Sequence, residues 1–85
     1  MYNIQLASKA VKFLKDLPDD YRNSIKQKIS ILQTDPKPRG SIQLVGHDNC
    51  FRFRIGPFRV QYIIIENEKS ILIYKISRRN ENTYG

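Results

Sequence analysis

Two periods of apolar and polar residues alternate along this chain. Over residues 2–6, Tyr2, Ile4 and Leu6 alternate with Asn3 and Gln5, a period of two that predicts a short strand. The period then lengthens. Ala10, Phe13, Leu14 and Leu17 fall at i, i+3, i+4 and i+7, one stripe of a helix for which Ser8 is a suitable N-cap. Pro18 ends that helix, and Asp19 or Asp20 caps a second one, where the acidic pair also suits the N-terminal dipole. Its stripe is Tyr21, Ile25, Ile29 and Leu32, with Lys26 and Lys28 solvated. The prolines and glycine of residues 34–40 predict a loop, residues 41–45 a short extended piece and residues 46–49 a turn. The period of two returns over residues 50–65, CFRFRIGPFRVQYIII, as two strands joined at Gly56-Pro57. Residues 66–69 turn the chain. Residues 70–76 form a last strand, apolar on both faces near its middle, as expected of a strand flanked on both edges. Residues 77–85 are a polar tail. The order β-α-α-β-β-β predicts an α+β fold, an antiparallel-rich sheet with a helical hairpin on one face, in a single domain of residues 1–85.

The hairpin concentrates charge. In its first strand Phe51, Phe53 and Ile55 alternate with Arg52 and Arg54, so the pleat sends aromatics to one side and cations to the other. A two-residue turn at Gly56-Pro57, with Gly56 at positive φ, pairs Ile55 with Phe58, Arg54 with Arg59 and Arg52 with Gln61. Directly paired residues share a face, which places Arg52, Arg54 and Arg59 together. Like charges set opposite each other destabilise a sheet, so such a face points to an anion that it holds. Arg78 and Arg79 arrive at the end of the next strand and add to that reading. Tyr84 beyond them is either a tail residue or a ring that stacks on a base. The plain alternative for the arginines is a solvated strand surface.

Charge over the whole chain supports the anion. Fifteen basic and 8 acidic residues give a net charge of +7, lysine-rich over residues 1–48 and arginine-rich over 49–85. Such a balance points to nucleic acid or an acidic protein as partner, and arginine suits bidentate phosphate contacts. One cysteine, Cys50, excludes an internal disulfide and fits a reducing cytoplasm, and one Cys with one His cannot fill a tetrahedral zinc site. No metal or other cofactor is expected. No apolar run approaches the roughly 20 residues of a membrane span, and the first ten residues lack a signal peptide's basic and apolar regions.

Other candidate chemistries are thin. His47 has a side chain suited to proton transfer near neutral pH, but it stands alone in a turn beside Asp48. Cys50 has only arginines nearby and no histidine–asparagine set to make it a nucleophile. Glu66, Glu68 and Glu81 form no pair for acid/base work, and there is no glycine-rich phosphate loop.

The run from Cys50 to Ile65, the segment ILIYKI and the tail SRRNENTY together resemble the RelE branch of the RelE/ParE toxin superfamily, toxins of bacterial toxin–antitoxin modules. The resemblance spans essentially the whole chain. It implies a ribosome-dependent endoribonuclease, an mRNA interferase that cuts messenger RNA in the ribosomal A site and so inhibits translation in the cytoplasm. The substrate's own 2′-OH attacks the adjacent phosphate without a metal. By this resemblance Arg52 and Arg54 take the family's two basic hairpin positions and Arg59 its phosphate-binding arginine. Arg79 takes the arginine after the last strand, and Tyr84 the C-terminal tyrosine that stacks on a base. Three positions depart from the pattern: the two hairpin cations are often lysine in the family, and Arg78 stands where many relatives carry a histidine. Because arginine stays protonated, stabilisation of phosphate charge is the role expected of Arg52 and Arg54, rather than that of a base. The implied partners are a cognate antitoxin, acidic and wrapping the toxin, and the ribosome with its mRNA. The other branch, ParE-like, would bind DNA gyrase without catalysis of its own.

Overall fold

A computed structural model describes residues 1–78. The chain forms β1 (Asn3–Leu6), α1 (Ser8–Lys15), α2 (Asp19–Ile31), β2 (Ile42–Gln43), β3 (Cys50–Ile55), β4 (Phe58–Ile65) and β5 (Ser70–Arg78), with a 3₁₀ turn at Glu66–Glu68 before β5. The five strands make one sheet in the order β1-β5-β4-β3-β2. β1 runs parallel to β5, and all other pairs are antiparallel. The α+β fold with a helical hairpin on one sheet face is therefore the observed one. The extended piece before the hairpin contributes a fifth strand of two residues, pairing Ile42 with Arg52 and Gln43 with Phe51.

The core lies between the helices and one face of the sheet. From the helices come Ala10, Leu14, Leu17, Ile25, Ile29 and Leu32, and from the sheet Phe51, Phe53, Phe58, Val60, Tyr62, Ile64, Ile71, Ile73 and Ile76. Burial of a large apolar side chain contributes about 2 kcal/mol, so this face supplies most of what holds the domain together. Phe58 meets Phe13 and Tyr21 edge-on, with ring centroids 5.9 and 5.0 Å away. The Tyr62 hydroxyl donates to the Pro36 carbonyl at 2.7 Å, which ties the loop after α2 to the middle of the sheet.

The helix starts differ from expectation. Ser8 is the first helical residue, and Ala7 takes the cap position without a side-chain cap. The Ala7 amide still donates to Ile73 at 2.9 Å, so the backbone passes from strand pairing directly into the helix and leaves no separate capping residue. Pro18 likewise precedes α2, with Asp19 and Asp20 inside its first turn, where they still complement the dipole. Arg22 joins the two helices. Its Nη1 donates to the Leu17 carbonyl at 2.7 Å at the end of α1, and its Nη2 pairs with Asp19. Lys28 is half-buried with Nζ over the Phe53 ring, whereas Lys26 is exposed. Among the described residues, no helix is long and apolar enough to cross a membrane.

Candidate phosphate-binding face

The site is built on the side of the sheet that the helices do not cover. β3 and β4 pair in the expected register, with Ile55 opposite Phe58, Arg54 opposite Arg59 and Arg52 opposite Gln61. Gly56 at the turn has φ +56°, which a residue with a side chain rarely adopts. This turn fixes which side chains face out: a slip of one residue would bury the arginines and expose Phe58 and Val60. Arg52, Arg54 and Arg59 are thus gathered on one face.

β5 completes the face by way of an irregularity. Gln61 pairs with Lys75 but Tyr62 pairs with Ile73, so Tyr74 is skipped and the strand carries a bulge. The extra residue reverses the in/out phase of everything after it. Ile71 and Ile73 point to the core before the bulge, and Ile76 does so after it. Lys75, which strict alternation would send under the helices, comes out opposite Gln61, and Ser77 comes out opposite Arg59. Across the three strands the face therefore reads Arg52, Gln61, Lys75 in one row and Arg54, Arg59, Ser77 in the next. The row beyond it, Cys50, Ile63 and Leu72, is apolar and half-buried. No aspartate or glutamate stands on this face among the described residues.

The electrostatics match that layout. Arg52 Nη1 and Arg59 Nε are buried without a hydrogen-bond partner among the described residues. Desolvation lowers the pKa of the Arg52 guanidinium, and the neighbouring charges of Arg59 and then Arg54 lower it further. Donors held together at such a cost are suited to an oxyanion such as a phosphate.

The other sequence candidates are placed elsewhere. Arg78 pairs with Phe58, and its guanidinium lies over that ring at 5.1 Å, so it stands on the helix side of the sheet and away from the three hairpin arginines. Arg79 and Tyr84 lie outside the described residues. His47 is exposed in the β2–β3 loop, where its carbonyl, not its ring, is engaged, accepting from the Cys50 amide at 3.4 Å. Cys50 is a half-buried free thiol in the apolar row. Lys75 was not singled out from sequence, because a bulge inside a continuous apolar strand leaves no sign in the spacing. The anomaly that could have flagged it is the lysine itself, in the inward phase of ILIYKI.

Comparisons with known proteins bear on the family and the fold. The profile of the family described as "ParE toxin of type II toxin-antitoxin system, parDE" matches residues 4–83. A toxin candidate of Methanocaldococcus jannaschii named RelE1 is 40% identical over 81 residues, covering 92% of this chain and 90% of that protein. Among solved structures, the RelE of the archaeal RelE–RelB complex from Pyrococcus horikoshii is 27% identical with a TM-score of 0.81, covering 95% of this chain and 98% of that one. The isolated E. coli RelE toxin shares the fold with a TM-score of 0.82 at 18% identity, covering 92% and 84%. The chain belongs to the RelE branch of the RelE/ParE superfamily and is a toxin of the type II toxin–antitoxin class.

Proposed function

We propose that this toxin is a ribosome-dependent endoribonuclease that cuts messenger RNA in the A site and so stops translation in the cytoplasm. The observation that carries the reading is the open arginine face, with Arg52 Nη1 and Arg59 Nε buried and unpartnered among the described residues. In the reaction the substrate's 2′-oxygen attacks the adjacent phosphorus and the bond to the 5′-oxygen breaks. The products are a 2′,3′-cyclic phosphate and a 5′-hydroxyl. One proton leaves the 2′-OH and one reaches the departing oxygen. Arg52, Arg54 and Arg59 neutralise the charge that builds on the non-bridging oxygens, and positioned donors of this kind are most effective where water is displaced. By family pattern, Arg79 joins them and Tyr84 stacks on a nucleotide. A guanidinium is a poor proton acceptor, so the hairpin arginines act by charge and do not take the 2′-OH proton. Tyr84, water or the ribosome carries the protons, which gives the ribosome a chemical as well as a positioning role.

The partner that restrains the toxin is a cognate antitoxin, as in the Pyrococcus horikoshii RelE–RelB complex. An acidic segment that orders on binding suits a chain of net charge +7. Incubation of purified toxin with programmed ribosomes, read by primer extension, tests the nuclease reading. It predicts breaks at the A-site codon, and intact message would overturn it. The family profile is named for ParE toxins, which favours one rival reading, the gyrase inhibitor without nuclease activity. Toxicity that survives both Arg59→Ala and Tyr84→Ala while gyrase-linked DNA breaks accumulate would put that reading in its place.

A further inference from the structure

The bulge at Tyr74 has a purpose that the hairpin arginines alone do not explain. It costs the sheet a regular pairing step, and what it achieves is to turn Ile76 into the core and Lys75 outward. We infer that Lys75 is a second phosphate contact, holding the phosphate next to the one gripped by Arg54 and Arg59. The inference rests on the nuclease reading for its substrate but not for its test.

Spacing separates the two contacts. Arg54 and Arg59 are direct cross-strand neighbours, with Cβ atoms about 5 Å apart, close enough to share one phosphate. Lys75 stands two strand spacings from β3, about 10 Å, and diagonally from Arg59, at about 7 Å. That offset suits the neighbouring phosphate of the same strand. Gln61, directly between Arg52 and Lys75, carries both a donor and an acceptor and no charge, so the two ends of the row are separate cationic positions with a neutral divider. Lys75 is exposed, and no carboxylate on this face competes for it among the described residues. As a flexible point charge it suits a flanking phosphate that needs holding but not orienting, whereas the planar guanidinium forks suit the reacting one.

The test is equilibrium binding of a short 2′-O-methyl RNA oligonucleotide, which cannot be cleaved, to the full chain across a series of salt concentrations. Loss of one phosphate contact on a single strand lowers the slope of log K against log salt by about 0.7. Lys75→Ala should show that drop with affinity weakened by the same factor for oligonucleotides of different sequence, and Lys75→Arg should restore the slope. On ribosomes, Lys75→Ala should raise KM and leave kcat unchanged. A thermal melt coincident with the wild type, expected for an exposed strand residue, assigns these effects to binding. A slope that Lys75→Ala leaves unchanged would overturn the inference whether or not the toxin cleaves. A slope that falls in a toxin that cuts no message would keep the Lys75 contact and overturn the nuclease reading instead.

Discussion

The two faces of the sheet are made by the same strands and obey opposite rules. On the helix side, Phe51, Phe53, Phe58, Val60 and Tyr62 are at most 7% exposed, with one satisfied hydroxyl and the cations of Lys37, Lys28 and Arg78 lying over the three phenylalanine rings. On the other side, residues one step along the same backbone set Arg54 against Arg59 and leave guanidinium nitrogens buried and unmatched. The first face minimises free energy in the isolated chain. The second carries a cost of like charge and desolvation that a bound anion would offset. Alternation lets each be chosen independently, because a substitution on one side of the pleat leaves the packing on the other intact. The stability of the covered face offsets the repulsion carried by the open one.

Four substitutions probe that division. Phe53→Ala, in the covered face, should cost about 3–5 kcal/mol, read as a lowered urea midpoint. Arg59→Ala, one residue from that ring's partner Val60 and on the opposite side of the pleat, should leave the midpoint unchanged or slightly higher while, on the nuclease reading, A-site cleavage falls about 10²- to 10³-fold. Equal loss of stability in both variants would erase the distinction between the faces. Tyr62→Phe removes the bond to Pro36 and should cost about 1–2 kcal/mol. It also has a pH signature. Burial pushes the Tyr62 phenol from 10.0 up to about 12, so the folded chain holds that proton after the unfolded chain has lost it. The stabilisation is complete below pH 10 and is lost as pH rises through about 12. The phenylalanine variant should lose stability less steeply over that interval in alkaline melts. The smallest effect is Arg54→Gln, which relieves a like-charge pair and should stabilise the free toxin by about 0.5 kcal/mol at low salt, shrinking as salt is added.

How far the sequence could be read follows from which forces are local. The hairpin register was legible because a two-residue turn fixes pairing for both strands at once, and Arg52, Arg54 and Arg59 came together as their phase required. The helical stripes were legible for the same reason, a period imposed by one element on itself. Pairing between elements was not. Nothing near Ser8 announces that Ala7 is still hydrogen-bonded to Ile73, and near Tyr74 only the inward phase of Lys75 hints at a skipped pair. Arg78, adjacent in sequence to the tail's Arg79, is drawn by the β5 register onto Phe58 and the far side of the sheet. The spacing of α2 gives no sign that Arg22 binds the carbonyls at the end of α1 and just beyond it. Each of these depends on where a distant segment lands.

The pairing of β1 with β5 sets a condition on when this molecule can exist at all. Asn3 finds its partner in Ser70, and β5 lies between β1 and β4 in the sheet. During synthesis the first strand therefore waits, unpaired, until nearly all of the described chain has been made, and the two halves of the sheet have no common spine before then. Contacts between residues so far apart in sequence form late and slowly. The open face is thus incomplete in the nascent chain until the strand that carries Lys75 enters between its neighbours.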